Sequence, residues 1–148
     1  MQLWDETLEA GKSYYALATD DTHAMRDFGR NWTVICAGSR ERSAVVDALK
    51  QGSFYSSQGP EFYKLSFDGT TFEAEFSPCT TAILVCCRTA GHTVMVPDPD
   101  GPGTTKTVTE MKLDLSGFSD DDFFRCQIAD EYGRMAWSNP FRPGDFKK

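Results

Sequence analysis

The sequence predicts an α+β protein: a short α/β segment followed by an antiparallel β-sandwich. Helical spacing of apolar residues occurs only before Gly52, interleaved with continuous apolar runs of strand length. From Phe62 onward, short runs alternate apolar and polar residues, as in Phe72-Glu73-Ala74-Glu75-Phe76. Turn formers separate those runs at Asp68-Gly69, Ala90-Gly91, Pro97 to Gly103 and Glu131-Tyr132-Gly133. The compositional seam at Gly52 to Gly59 divides the chain into residues 1–58 and 59–148.

In chain order, Trp4 to Ala10 carries a short helical pattern, and Gly11 stands where a left-handed residue commonly ends a helix. Tyr14 to Thr19 is a continuous, mostly apolar run, expected as a strand buried on both faces. The polar cluster Asp20-Asp21-Thr22-His23 ends it, a loop with Gly29, Arg30 and Asn31 follows, and Trp32 to Ala37 is a second buried strand. Ser39 is placed to cap a helix over Arg40 to Gln51, whose Ala44, Val45, Ala48 and Leu49 share one face; Gly52 ends it. Strand, loop, strand and helix in this order suit a parallel or mixed sheet covered by helices. The second half reads as seven strands: Phe62 to Phe67, Thr71 to Ser77, Thr81 to Cys87, His92 to Val96, Lys106 to Leu115, Phe123 to Asp130 and Met135 to Ser138. The aromatics Phe54, Tyr55, Phe62, Tyr63 and Phe67 near the seam are expected to hold the two halves together, and Trp137 to anchor one on the other.

Composition narrows the function classes. At 148 residues with 40% hydrophobic side chains, the chain has material for a core. A net charge of -7 argues against a nucleic-acid partner. Its longest apolar run, Ala82 to Cys87, is far short of the ~20 residues that span a bilayer, so no membrane partner is expected. The N-terminus lacks the basic and apolar regions of a signal peptide, and five cysteines without CxxC spacing read as buried, reduced thiols; both point to the cytoplasm.

The candidate chemistry lies in Asp21-Thr22-His23, at the carboxyl end of an apolar run in an α/β segment, where loops on a rigid sheet commonly carry ligands. Carboxylate and neutral imidazole both suit zinc, manganese or iron. Asp20 can orient His23 or a bound water, or cap the turn. Arg30 and Asn31 are placed either to face a phosphate or to lie in a solvated loop. His92 reads as a hairpin-end histidine, and Asp120-Asp121-Asp122, without EF-hand spacing, as a solvated turn.

The segment Ala16-Leu17-Ala18-Thr19-Asp20-Asp21-Thr22-His23 resembles the last metal-binding motif of the PHP (polymerase and histidinol phosphatase) superfamily of metal-dependent phosphoesterases. The likeness continues through Trp32 to Ala37, then Val46 to Gly59 with its Phe54-Tyr55-Ser56-Ser57-Gln58-Gly59, and returns in Phe123 to Phe141 with Ala136-Trp137-Ser138-Asn139-Pro140. Together these segments span nearly the whole chain in the family's order.

The resemblance implies that residues 1–58 are the end of a PHP-type β/α barrel and that Asp21 and His23 are the last two metal ligands. Asp20 stands where the family often has serine, so no ligand role carries over to it. The family's site also uses an amino-terminal H-x-H pair, further histidines and an acidic bridging ligand; this chain has two histidines in all. The expectation is therefore the carboxyl-terminal portion of a bacterial, cytoplasmic hydrolase, inactive alone. The intact protein would hold a divalent metal (Zn, Mn or Fe) that this chain need not retain by itself. Its partners would be the amino-terminal PHP portion and a phosphoester-type small molecule. Two other expectations stand beside it: a non-catalytic binding or interaction sandwich, and self-association through exposed strand edges.

Overall fold

The computed structural model describes residues 2–86, 93–95 and 107–146. Among the described residues, two α-helices accompany nine strands, and every strand pair is antiparallel. Helix α1 spans Gln2–Glu9 and α2 spans Arg42–Gln51. The strands are β1 (Trp32–Ile35), β2 (Phe54–Ser57), β3 (Phe62–Phe67), β4 (Thr71–Cys79), β5 (Thr81–Cys86), β6 (Thr93–Met95), β7 (Val108–Asp114), β8 (Phe124–Ala129) and β9 (Met135–Ser138). They form a six-stranded sheet, β1-β2-β9-β8-β5-β6, and a three-stranded sheet, β3-β4-β7.

The core lies where the inward residues of the two sheets meet. Phe72, Ala74 and Phe76 of β4 alternate inward with Ala82 and Leu84 of β5 and with Cys126 and Ile128 of β8. On the outer face of the smaller sheet, Glu73 lies between Lys64 and Lys112, whose ammonium groups hold its carboxyl down to about 2.

Four expectations change. The parallel arrangement does not form: Cys36 N–H donates to Ser53 O at 2.8 Å, so β2 starts beside the end of β1 and runs back along it. Phe54–Ser57, treated as seam, is a central strand pairing β1 and β9, so one sheet crosses residue 58. Ser39 does not cap α2: its hydroxyl accepts from Glu41 N–H two residues on, and the helix begins at Arg42. Tyr14 to Thr19 forms no strand, and Tyr14, Tyr15 and Leu17 are exposed. Of the seam aromatics, Tyr63 is also exposed, whereas Tyr55 and Phe62 meet edge-to-face. Cys87, His92 and the Pro97 to Gly103 loop lie outside the described residues.

Gly52 ends α2 at φ 73, a left-handed conformation that favours glycine, and a Cβ there would come within 2.5 Å of the Tyr15 ring and displace it. Helix α1 lies on the outer face of the larger sheet. There Asp5 takes the Arg125 guanidinium bidentately at 2.6 and 2.8 Å, and Trp4 stacks 5.1 Å from it.

The cysteines Cys36, Cys79 and Cys126 are free. Cys36 departs from the expectation of burial, because it follows the last residue of the edge strand β1 and is exposed. Burial pushes the Cys79 thiol up and the Cys126 thiol up to about 12. Under native conditions a disulfide reagent at pH 8 should therefore modify Cys36 rapidly and leave Cys79 and Cys126 untouched until denaturant is added. Peptide mapping of the labelled chain reads the result; fast labelling of Cys126 would contradict the packing.

Candidate functional site

The run from Tyr14 to Asp20 crosses the outer face of β1 and β2, and side chains rather than a strand ladder hold it. Ala16 O accepts from the Ser56 hydroxyl at 2.7 Å, and Ala16 N–H donates to Asn139 Oδ1 at 3.3 Å. Ala18 exchanges two bonds with the Thr33 hydroxyl, both 3.1 Å. Asn139 also donates to Gly52 O and Phe54 O. The main-chain N–H and C=O groups of Ala16 and Ala18 thus find partners without β pairing.

The chain then folds into a closed loop. The Asp20 carboxylate accepts from three successive amides, Gly29, Arg30 at 2.7 Å and Asn31, and these bonds hold its pKa below the ordinary aspartate value, Asn31 foremost. A 3-10 turn, Met25–Asp27, forms the floor, where Asp27 Oδ2 accepts from the amides of His23 and Ala24. Gln58 ties the loop to the sheet: its Nε2 donates to Asn31 Oδ1 at 2.9 Å, and its Oε1 accepts from Met135 N–H at 3.1 Å.

Asp21 and His23 point outward from this loop. Asp21 adopts φ 50, a left-handed conformation that aspartate tolerates better than most residues. Its side chain is 92% exposed and that of His23 77%. His23 Nδ1 lies 2.7 Å from Asp21 O. A carbonyl can only accept, so a neutral His23 ring carries its proton on Nδ1 and its lone pair on Nε2. That is the arrangement commonly found in metal-bound histidines.

The donor set fits a transition metal in kind but not in number. Among the described residues, no three His, Cys, Asp or Glu side chains gather into a group that could hold a metal. Asp20 turns both oxygens into the loop, Asn31 is engaged by Gln58, and Arg30 is exposed. Thr33, Ser56, Gln58 and Asn139 were not singled out from the sequence. Polar side chains within strand-like or turn segments were the available signal, and three of the four fall within the motif stretches Phe54 to Gly59 and Ala136 to Pro140.

Two further features bear on function. Tyr14, Leu17, Phe28 and Trp32, on the stretch from residue 14 to the start of β1, are large apolar residues exposed to solvent. At the mouth of the sandwich an open cavity of about 600 Å³ is lined by Cys36, Tyr55, Phe62, Leu65, Phe67 and Phe141 among others. No helix among the described residues is long and apolar enough to cross a membrane. No protein-family model, curated protein sequence or solved structure matches the chain.

Proposed function

We propose that this chain supplies the last ligand pair, Asp21 and His23, and a β-sandwich scaffold to a PHP-type, metal-dependent phosphoesterase centre. The remaining ligands would come from another polypeptide segment corresponding to the amino-terminal part of the barrel. The observation that carries this reading is the local geometry: the bond from Nδ1 to Asp21 O leaves His23 Nε2 as the ring's lone pair, beside an exposed carboxylate. The exposed apolar residues Tyr14, Leu17, Phe28 and Trp32 support it, since a docking segment needs such a surface. A divalent metal, Zn, Mn or Fe, would lower the pKa of a bound water for attack on a phosphoester. Asp21 and His23 would hold and orient it, with Arg30 in the same loop to receive the phosphate. The unbridged thiols fit a reducing cytoplasm.

Two donors are too few for a hydroxide-generating site, which needs about three per metal plus an open position. The chain alone should therefore hydrolyse p-nitrophenyl phosphate no faster than buffer in the presence of Mn²⁺ or Zn²⁺. Substoichiometric Mn²⁺ should broaden the amide signals of Asp21 and His23 first, and His23→Ala should abolish that selectivity. Chelator-sensitive turnover by the chain alone would sink the divided site, and uniform broadening would sink the ligand pair.

The aromatic-lined cavity favours a second reading, in which the sandwich is a non-catalytic binding module and Asp21 and His23 carry no metal role. Selective Mn²⁺ broadening at Asp21 and His23 separates the two.

A further inference from the structure

We infer that Gln58 is a positioning residue through which the sandwich fixes the location of Asp21 and His23, an inference that rests on the ligand role proposed above. The loop from Asp20 to Asn31 is tied up internally. Asp20 binds the amides of Gly29, Arg30 and Asn31, and Asp27 binds those of His23 and Ala24. A loop closed in this way moves as a unit, so the bonds that join it to the sheet decide where its ligands sit.

Gln58 makes such a join. It follows β2 directly, and its main-chain N–H donates to Met135 O at 2.8 Å while its Oε1 accepts from Met135 N–H. The residue is thus fixed to the first position of β9 by both main chain and side chain. Its Nε2 then donates to Asn31 Oδ1. Met135 N–H can only donate, so it fixes Oε1 as the acceptor and leaves Nε2 to face Asn31 Oδ1. A carboxamide at position 58 makes both bonds, whereas a carboxylate could only accept. Thr33 holds the chain just before the loop, at Ala18, so Gln58 acts at the far end of the same unit.

The test is Gln58→Met, which keeps the length of the side chain and removes both bonds, with Asn31→Ala as a second variant that leaves the contact with Met135 intact. Retention of the dispersed amide signals of Leu84 and Ile128 would show that the sandwich is intact. In both variants the Mn²⁺ concentration that half-broadens His23 should rise by at least about tenfold, as is usual when a group supporting a ligand is lost. The double variant should add little to either single one. Amide exchange at Gly29, Arg30 and Asn31 should also quicken several-fold. An unchanged Mn²⁺ midpoint with unchanged exchange would overturn the positioning role. If the unaltered chain shows no selective Mn²⁺ broadening, the ligand reading fails. Exchange at positions 29–31 then still decides whether Gln58 positions the loop: faster exchange in Gln58→Met upholds it, and unchanged exchange overturns it.

Discussion

Asp5→Ala is expected to destabilise the fold by about 3–5 kcal/mol, the usual cost of removing one partner from a buried ion pair. The Arg125 side chain is 3% exposed, and Asp5 supplies two of its bonds, at 2.6 and 2.8 Å. Without that carboxylate the guanidinium keeps Gln127 Oε1 and the Trp4 ring, neither of which neutralises a charge. Because the Asp5 side chain is 25% exposed and water can reach the site, the effect should fall toward the lower end of that range. Urea denaturation reads it as a lower midpoint with an unchanged slope. Replacing both partners by apolar residues, Asp5→Leu with Arg125→Met, should recover most of the loss, because no buried charge then remains unpaired. A cost for Asp5→Ala below about 1 kcal/mol, the range of an exposed pair, would mean that α1 leaves the sheet readily and lets Arg125 reach water.

Phe124→Ala should cost a similar amount, about 3–5 kcal/mol, for a different reason. Phe124 is fully buried at the start of β8, edge-to-face with Phe118 at 5.1 Å and stacked on Phe141 at 5.5 Å. Phe141 stacks in turn on Phe72 of β4 at 5.4 Å, so the column of rings joins the two sheets. Main-chain bonds between Phe124 and Phe141, 2.9 Å each way, hold the backbone in place and limit collapse into the void. Truncation thus leaves a cavity as well as lost transfer energy. Phe146→Ala, at the exposed end of the same cluster, should cost far less. Equal losses at the two positions in urea titrations would contradict this packing.

The sequence carried the sandwich because its strands signal themselves locally. β3 and β9 begin and end at the predicted residues, and β4 shows the expected alternation of burial along Phe72, Glu73, Ala74, Glu75 and Phe76. β2 was missed because Phe54, Tyr55, Ser56 and Ser57 are all buried, which leaves no alternation to detect. The run from Tyr14 to Thr19 failed in the opposite direction. Its apolar character suits a buried strand, but its partners are side chains that nothing nearby in the chain announces. Thr33, Ser56 and Asn139 lie 15, 40 and 123 residues from the residues they hold. The same distances explain the site. Asp21 and His23 are legible as a tripeptide, whereas the groups that place them belong to strands folded from elsewhere.

The loop around Asp20 also constrains how the proposed site would receive a substrate. Three consecutive amides pointing at one place make a natural cradle for a phosphate oxygen. Here the chain has filled that cradle with its own carboxylate. In the proposed site, a phosphate beside Asp21 and His23 would find those main-chain donors already spent on the Asp20 carboxylate. Under the proposed function, whatever neutralises that phosphate would have to be a side chain such as Arg30 or a bound cation, not the loop backbone.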